Sequence, residues 1–103
     1  MRQFDLFDNP SVRSRAFVPF VVVLQSHYLS AMPTVVVAPL IRDDGRSAYT
    51  DVSARVAVNG ETFIVSAAEL AAVEARLLGK PIGSLLSEED AIRSALQKVF
   101  TGF

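Results

Sequence analysis

The one histidine of the chain, His27, lies between Ser26 and Ser30, and a hydroxyl beside an imidazole is the usual starting point for nucleophilic catalysis. Neighbouring positions of an extended segment point to opposite faces, so Ser26 and His27 are poorly placed for each other. The chain has no cysteine, and one imidazole cannot form a multi-histidine metal site. We therefore expect a solvated His27 without a catalytic role, and neither a metal ion nor a cofactor.

Three other groups of residues have the composition of functional motifs but lack the spacing. The Asp-Asp-Gly sequence at 43–45 lacks the further oxygen ligands of a calcium loop, so it is interpreted as a charged turn. The Glu-Glu-Asp sequence at 88–90 is explained by a helix start, where the helix dipole favours acidic side chains. Gly79 and Gly83 do not belong to a phosphate-binding motif. The sequence therefore predicts a protein that is not an enzyme.

Composition limits the class of protein. The chain has 103 residues, which predicts a single domain over 1–103. Its net charge is −1, whereas a protein that binds nucleic acid directly is expected to be strongly basic. The longest apolar run, 16–24, is far shorter than the ~20 residues of a membrane span, and the N-terminus lacks the apolar region of a signal peptide. We expect a cytoplasmic protein that binds neither nucleic acid nor membranes.

Several segments carry strand signals. Residues 4–7 are short and apolar, whereas 20–24 and 34–41 are continuous apolar runs, which predict burial on both faces of the strand. Asn59-Gly60 separates two strand-like runs and favours a type I′ hairpin. The segment 68–78 is ambiguous: its composition and the capping-box spacing of Ser66 and Glu69 favour a helix, but its alternation of apolar and charged residues favours a strand.

The last element is predicted to be an amphipathic helix. Ser87 is the expected N-cap, and Gly102 is expected to end the helix. The predicted apolar stripe consists of Ile92, Ala95, Leu96, Val99 and Phe103. The fold class is therefore α+β, an antiparallel sheet or small barrel closed by one helix. Because half of a short chain is hydrophobic, we expect a homodimer interface to absorb the apolar excess.

The order of the segments resembles that of the CcdB toxins along nearly the whole chain. The shared pieces are Gln-Phe at 3–4, VVVLQS at 21–26, VVVAPL at 35–40, VNGE at 58–61 and FTGF at 100–103. The resemblance implies an SH3-like antiparallel sheet or barrel with a small β wing, formed by 8–15 and 42–52, and one C-terminal helix. It also implies a brief helical turn followed by a strand at 73–78, and assembly as a homodimer.

The resemblance further implies a toxin that binds the A subunit of DNA gyrase, poisons the cleaved gyrase–DNA complex and is neutralised by a CcdA-like antitoxin. The implied gyrase contacts are Thr101, Gly102, Phe103, Asp90, Arg93, Ser94, Gln97 and Lys98. The family has tryptophan at the position of Thr101, so we expect Phe103 to act as the aromatic anchor and Phe100 to be a core residue. The expected antitoxin contacts are Arg13, Arg15, Arg42 and Arg46.

Two alternatives stay open. A MazF-like endoribonuclease shares the same barrel and would need basic and acid/base residues gathered in a groove, for which several arginines are candidates. The endoribonuclease alternative is weakened because the chain lacks the excess of basic over acidic residues that is expected of a protein that binds RNA. The other alternative is a protein that keeps the CcdB-like fold but has lost gyrase binding.

Overall fold

A computed structural model describes residues 1–26, 31–43 and 52–102. The strands of these ranges are β1 Asp5–Asp8, β2 Phe20–Val23, β3 Thr34–Arg42, β4 Ser53–Val58, β5 Glu61–Ser66, β6 Ala71–Glu74 and β7 Gly83–Ser84, followed by the helix α1 Glu89–Thr101. They form a curled antiparallel sheet closed by one C-terminal helix. The predicted α+β class with an SH3-like sheet is confirmed. His27, Ser30, Arg46 and Phe103 lie outside the described residues.

The nine-residue strand β3 organises the sheet. One edge of β3 pairs with β2, and the strand order β4-β5-β3-β2-β1-β7 continues from there. The other edge is shared, because Leu40 to Arg42 pair with β5 whereas Thr34 to Val37 pair with β6. β5 and β6 run in the same direction along this edge, but the chain advances six residues from Val65 to Ala71 while β3 advances three, from Leu40 to Val37. A 3₁₀ turn at Ala67–Glu69 accommodates the extra residues.

The continuous apolar run of β2 is buried on both faces of the sheet, as predicted. Val22 is completely buried in the cluster that contains Ile92 of α1. Val21 and Val23 point to the opposite face, where they pack in a second cluster with Leu78. Because successive side chains of a strand alternate between faces, only a strand that is covered on both sides tolerates three valines in a row.

The Asn59-Gly60 hairpin is confirmed. Val58 pairs with Glu61, so β4 and β5 are joined by a two-residue turn. Asn59 has φ 51° and Gly60 has φ 80°, the positive angles that a type I′ turn requires at both central positions. This turn fixes the register of the hairpin against which α1 packs.

The prediction of a strand at 73–78 is wrong in its bounds. The helical turn comes first, at Ala67–Glu69, but the strand β6 then ends at Glu74 and a second 3₁₀ turn occupies Ala75–Leu77. The cause is the length of β3, because Glu74 pairs with Thr34, the first residue of β3. Beyond that point β6 has no partner strand, and the chain turns. Ser66 and Glu69 do meet, but Ser66 Oγ donates to Glu69 Oε1 at 3.1 Å and makes no capping bond to the backbone.

The predicted N-cap of the last helix is also wrong. Ser87 lies inside a 3₁₀ turn at Leu86–Glu88, and the N-cap position of α1 is Glu88, which makes no side-chain capping bond. The turn starts early because Ser84 Oγ accepts the N–H of Leu86 at 3.2 Å. The predicted helix end is confirmed, since Gly102 follows α1 in the left-handed conformation.

The predicted wing is described in part. Of its first arm, 8–15, only Asp8 belongs to a strand, and Val12–Ser14 is a 3₁₀ turn. Most of the second arm lies outside the described residues. The described first arm therefore forms an ordered connection between β1 and β2 and not an extended strand.

Candidate functional site

One face of α1 brings together most of the residues that the resemblance assigned to gyrase binding. A shallow, open depression on this face is lined by Asp90, Arg93, Ser94, Leu96, Gln97, Phe100 and Thr101. The spacing of Asp90, Ser94, Gln97 and Thr101 is that of residues on one side of an α-helix. Lys98 is exposed but does not line the depression. The helix thus presents to solvent a surface on which polar side chains surround the apolar side chains of Leu96 and Phe100.

Phe100 is a large apolar side chain on this surface, and the prediction that it belongs to the core is wrong. It is 69% exposed, whereas Ile92 is completely buried and Ala95 is 3% exposed. Each four-residue step along an α-helix overshoots a full turn by about 40°. Phe100 is two such steps after Ile92, so its side chain is rotated about 80° around the helix axis from that of Ile92 and lies outside the buried face of the helix. Sequence reasoning missed this residue because it followed the four-residue spacing without adding the rotation.

Arg93 is held at one side of the depression by three groups. Its Nε donates to Glu89 Oε2 at 3.0 Å, and its Nη2 lies 3.4 Å from Gln3 Oε1. Its guanidinium also lies over the ring of Phe4, 5.5 Å from the ring centre. Gln3 is itself anchored, because its Nε2 donates to the carbonyl of Leu24 at 2.9 Å. The N-terminal segment therefore fixes the position of Arg93, which the sequence did not indicate.

The chain leaves the helix through Thr101 and Gly102. Thr101 Oγ1 donates to the carbonyl of Gln97 at 2.6 Å, so this hydroxyl is already engaged within the helix. Gly102 has φ +76° and its N–H donates to the carbonyl of Lys98 at 3.2 Å. A Cβ at Gly102 would meet no atom within 4 Å, so the backbone angle, and not space, favours glycine here.

Of the four predicted antitoxin contacts, Arg13, Arg15 and Arg42 lie at one end of the sheet but differ in their environment, and Arg46 is outside the described residues. Asp8 pairs with Phe20 and Phe20 with Leu40, so the β1–β2 connection that carries Arg13 and Arg15 lies at the end where β3 reaches Arg42. Arg42 forms an ion pair with Glu61 and lies 5.7 Å from the ring centre of Phe63. Arg13 is exposed. Antitoxin binding by these arginines stays a prediction.

A smaller depression lies on the opposite face of the sheet. Its lining consists of Asn9, Ser14, Val18, Val21, Val37, Pro39, Glu69, Ala71 and Val73. Glu69 supplies a carboxylate, and the part of the lining that belongs to the described ranges contains no arginine. Within the described ranges no three His, Cys, Asp or Glu side chains gather as metal ligands. None of the helices described there is both long and apolar enough to cross a membrane.

Solved structures with the same fold include three bacterial toxin and nuclease structures. Mycobacterium tuberculosis toxin MazF-mt6 is 22% identical, with a TM-score of 0.69 over 96% of each chain. An endoribonuclease from mycobacterial species is 14% identical, with a TM-score of 0.73 over 96% of this chain and 89% of that one. A structure described as a crystal structure of an Mtb toxin is 28% identical, with a TM-score of 0.63 over 81% of this chain and 92% of that one.

Comparison of the sequence with known proteins identifies the family of the chain, which the structural similarity alone does not. No curated protein is a significant match to the chain. The model of the family described as CcdB protein, in contrast, matches residues 3–102. That match includes the sheet, the β1–β2 connection and the whole of α1. The chain therefore belongs to the CcdB family and is a toxin of the toxin–antitoxin type.

Proposed function

We propose that this toxin acts in the cytoplasm by binding the A subunit of DNA gyrase, that it traps the cleaved gyrase–DNA complex, and that a CcdA-like antitoxin neutralises it. The observation that carries the proposal is the solvent face of α1, where Phe100 stands 69% exposed among polar side chains. Family membership supports the same target.

An aromatic side chain surrounded by polar groups has the composition of an interface hot spot. Phe100 lies within one residue of Thr101, the position at which the family has tryptophan. Burial of the exposed part of its ring by a partner would supply the apolar area that threonine cannot. We therefore assign to Phe100 the anchor role that the sequence had suggested for Phe103.

The polar residues around Phe100 suit the rim of such an interface. Asp90 and Gln97 offer acceptors and donors from one helix face, and Arg93 is fixed in place by Glu89 and Gln3. A contact side chain that is already ordered loses little conformational entropy when the partner binds. The helix thus presents a preorganised surface of the kind that a protein partner recognises.

The proposed action needs binding energy and no chemistry by the toxin. Trapping a cleaved complex requires only that the toxin bind that state of gyrase more tightly than the resealed state. We further propose that the toxin is a homodimer, because Met32, Ile82 and Leu86, which lie outside the face of α1, are each about half exposed on the described part of one chain.

The second candidate is a MazF-like endoribonuclease, which the likeness to the mycobacterial endoribonuclease favours. The depression beside Glu69 could offer a carboxylate as general base. Cleavage of RNA also needs cationic groups that stabilise the developing charge on phosphate, and no arginine is among the described residues that line this depression. For this reason we rank the enzyme below the gyrase poison.

Binding of the purified gyrase A subunit tests the proposal. The wild type should bind, and Phe100→Ala should raise the dissociation constant by a factor of about 30 or more, which corresponds to the ~2 kcal/mol of a hot spot. The matched control is Leu77→Ala, since Leu77 is 51% exposed on another element and should bind gyrase like the wild type. Equal affinities for all three proteins would sink the proposal that α1 is the contact.

A further inference from the structure

Arg93 is both exposed and fixed on the solvent face of α1. Its side chain is 53% exposed, yet Glu89 accepts its Nε–H at 3.0 Å and the ring centre of Phe4 lies 5.5 Å from its guanidinium carbon. Its Nη2 also lies 3.4 Å from Oε1 of Gln3. An exposed arginine on a helix surface retains much rotamer freedom, so three neighbours that restrict one such side chain require an explanation.

The stability of the fold does not explain this arrangement. Glu89 is 39% exposed, and an ion pair between exposed side chains adds little to the free energy of unfolding. Arg76 and Glu74 form a comparable exposed pair at 2.7 Å, but among the described residues no aromatic ring or amide contacts Arg76. An ion pair alone therefore does not account for the groups around Arg93, which restrict the orientation of its guanidinium.

The N-terminal segment reaches Arg93 through two ordered residues. Gln3 Nε2 donates to the carbonyl of Leu24 at 2.9 Å, so the amide is oriented with its Oε1 towards Arg93. Phe4 is 1% exposed and has φ 70°, an angle that non-glycine residues rarely adopt. Such angles persist where the surrounding structure imposes them, and they are concentrated at functional sites. The conformation before β1 therefore supports a role for this segment at the face of α1.

The guanidinium of Arg93 keeps donors that the toxin itself does not engage. It has five N–H groups, of which Glu89 accepts the one on Nε and Gln3 faces one on Nη2. Within the described ranges Nη1 donates to no acceptor. The end of the group formed by Nη1 and Nη2 matches the two oxygens of a carboxylate. Because the group is already oriented, a contact of this kind would cost little conformational entropy.

We propose that Arg93 binds a carboxylate of the gyrase A subunit and that Gln3 and Glu89 are positioning residues, which hold its guanidinium for this contact. The inference rests on the proposed function for the identity of the partner. Asp90 lines the same depression and would repel a carboxylate, so the acidic group of the partner should lie opposite Arg93 and away from Asp90. Phe100 supplies apolar area to the interface, and Arg93 supplies selectivity for an acidic partner group.

A double-mutant cycle tests the positioning role through the affinity for the purified gyrase A subunit. Arg93→Ala should raise the dissociation constant by about tenfold or more, as for the loss of a hydrogen bond to a charged group. Gln3→Ala should raise it about threefold to tenfold, because Arg93 then has to be ordered on binding. In the Arg93→Ala background Gln3→Ala should have no further effect, since a positioning residue acts through the residue that it positions. The matched control is Arg76→Ala, which removes an exposed, ion-paired arginine elsewhere and should bind like the wild type.

Glu89 provides a second measurement that does not depend on the N-terminal segment. Glu89→Ala should weaken gyrase binding to a similar extent as Gln3→Ala. Glu89→Gln keeps an oxygen acceptor for Nε of Arg93 and should weaken binding less. Because Glu89 lies on the surface of α1, these two variants decide the question when urea denaturation shows that Gln3→Ala fails to fold.

Association kinetics test the charge of the partner group. Arg93→Glu should slow association with the gyrase A subunit by about fivefold or more at low salt, with a smaller effect at high salt. Lys80→Glu reverses an exposed charge on another segment and is the control, which should associate at the rate of the wild type.

The outcomes distinguish this inference from the proposed function. Weaker binding by Phe100→Ala together with wild-type affinity in Arg93→Ala overturns the inference and leaves the gyrase proposal standing. Equal losses on Gln3→Ala in both backgrounds overturn the positioning role, and an association rate that Arg93→Glu leaves unchanged overturns the carboxylate contact. A wild type that does not bind the gyrase A subunit overturns both proposals.

Discussion

The guanidinium of Arg93 lies 5.5 Å from the centre of the Phe4 ring, so α1 contacts the residue that precedes β1 at the edge of the candidate contact face. Phe4 is 1% exposed and has φ 70°, an angle that few non-glycine residues adopt. Its N–H donates to the carbonyl of Val23 at 2.7 Å, and its carbonyl accepts the N–H of Leu85 at 2.8 Å. These bonds hold Phe4 in place. Because the guanidinium of Arg93 lies over the ring of Phe4, they also help to position Arg93.

Removal of the Phe100 ring should weaken gyrase binding but leave the stability of the fold nearly unchanged. Phe100→Ala should change the free energy of unfolding by no more than about 0.5 kcal/mol, because the ring is mostly exposed. Ile92→Ala, one face away on the same helix, should lower it by about 2–5 kcal/mol because Ile92 is completely buried. Urea denaturation checks both values. A loss in Phe100→Ala as large as that in Ile92→Ala would show that Phe100 is a core residue after all.

The loss of stability caused by a substitution at Gly102 should depend on how readily the new residue adopts the left-handed backbone conformation. Gly102→Ala should lower the free energy of unfolding by about 1 kcal/mol, since its φ of +76° is costly for a residue with a Cβ. Gly102→Asn should cost less, because asparagine adopts this conformation more readily. Thermal denaturation of the two variants is the measurement. Equal stability of both variants and the wild type would mean that the positive φ places no constraint on the chain.

Deletion of 101–103 should reduce toxicity, because it removes Thr101 from the contact face beside Phe100. It should leave the fold and antitoxin binding intact, because the buried residues of α1 end before this segment. The complementary change, Thr101→Trp, should raise gyrase affinity by ~1–3 kcal/mol, the range for an added buried aromatic anchor. Growth arrest on expression and gyrase binding are the readouts. If neither change alters either readout, gyrase is not the target.

The toxin should be a homodimer at micromolar concentration. The physical reason is the exposed apolar area of one chain, to which Ile82 and Leu86 contribute between β6 and α1. Sedimentation equilibrium measures the mass directly. A stable monomer across the micromolar range would contradict this prediction.

The sequence predicted the fold well at positions where a local residue pattern is compatible with only one structure. The valines at 21–23 predicted burial on both faces, and they pack in two separate clusters. Asn59-Gly60 predicted a two-residue hairpin turn, because few residue pairs adopt positive φ at both positions. The family resemblance then placed Asp90, Ser94, Gln97 and Thr101 on one helix face, and the structure brings these four together.

The errors arose where tertiary partners decide the outcome. The end of β6 at Glu74 is set by the first residue of β3, and periodicity within 68–78 contains no information about that partner. The exposure of Phe100 depends on the cumulative rotation of α1 against the sheet. The order imposed by Asn9 depends on hydrogen bonds to Ser14 and Val18, which a turn propensity does not specify.

The most direct measurement compares two activities of one purified preparation. Wild-type toxin is incubated with gyrase, ATP and supercoiled plasmid, and in parallel with a structured RNA in excess, and cleaved DNA and cleaved RNA are quantified. We expect cleaved DNA to accumulate with the wild type and with Leu77→Ala, to fall at least tenfold with Phe100→Ala, and RNA to stay intact. Multiple-turnover RNA cleavage that is unaffected by Phe100→Ala, with no cleaved DNA, would contradict the proposal that this toxin poisons gyrase.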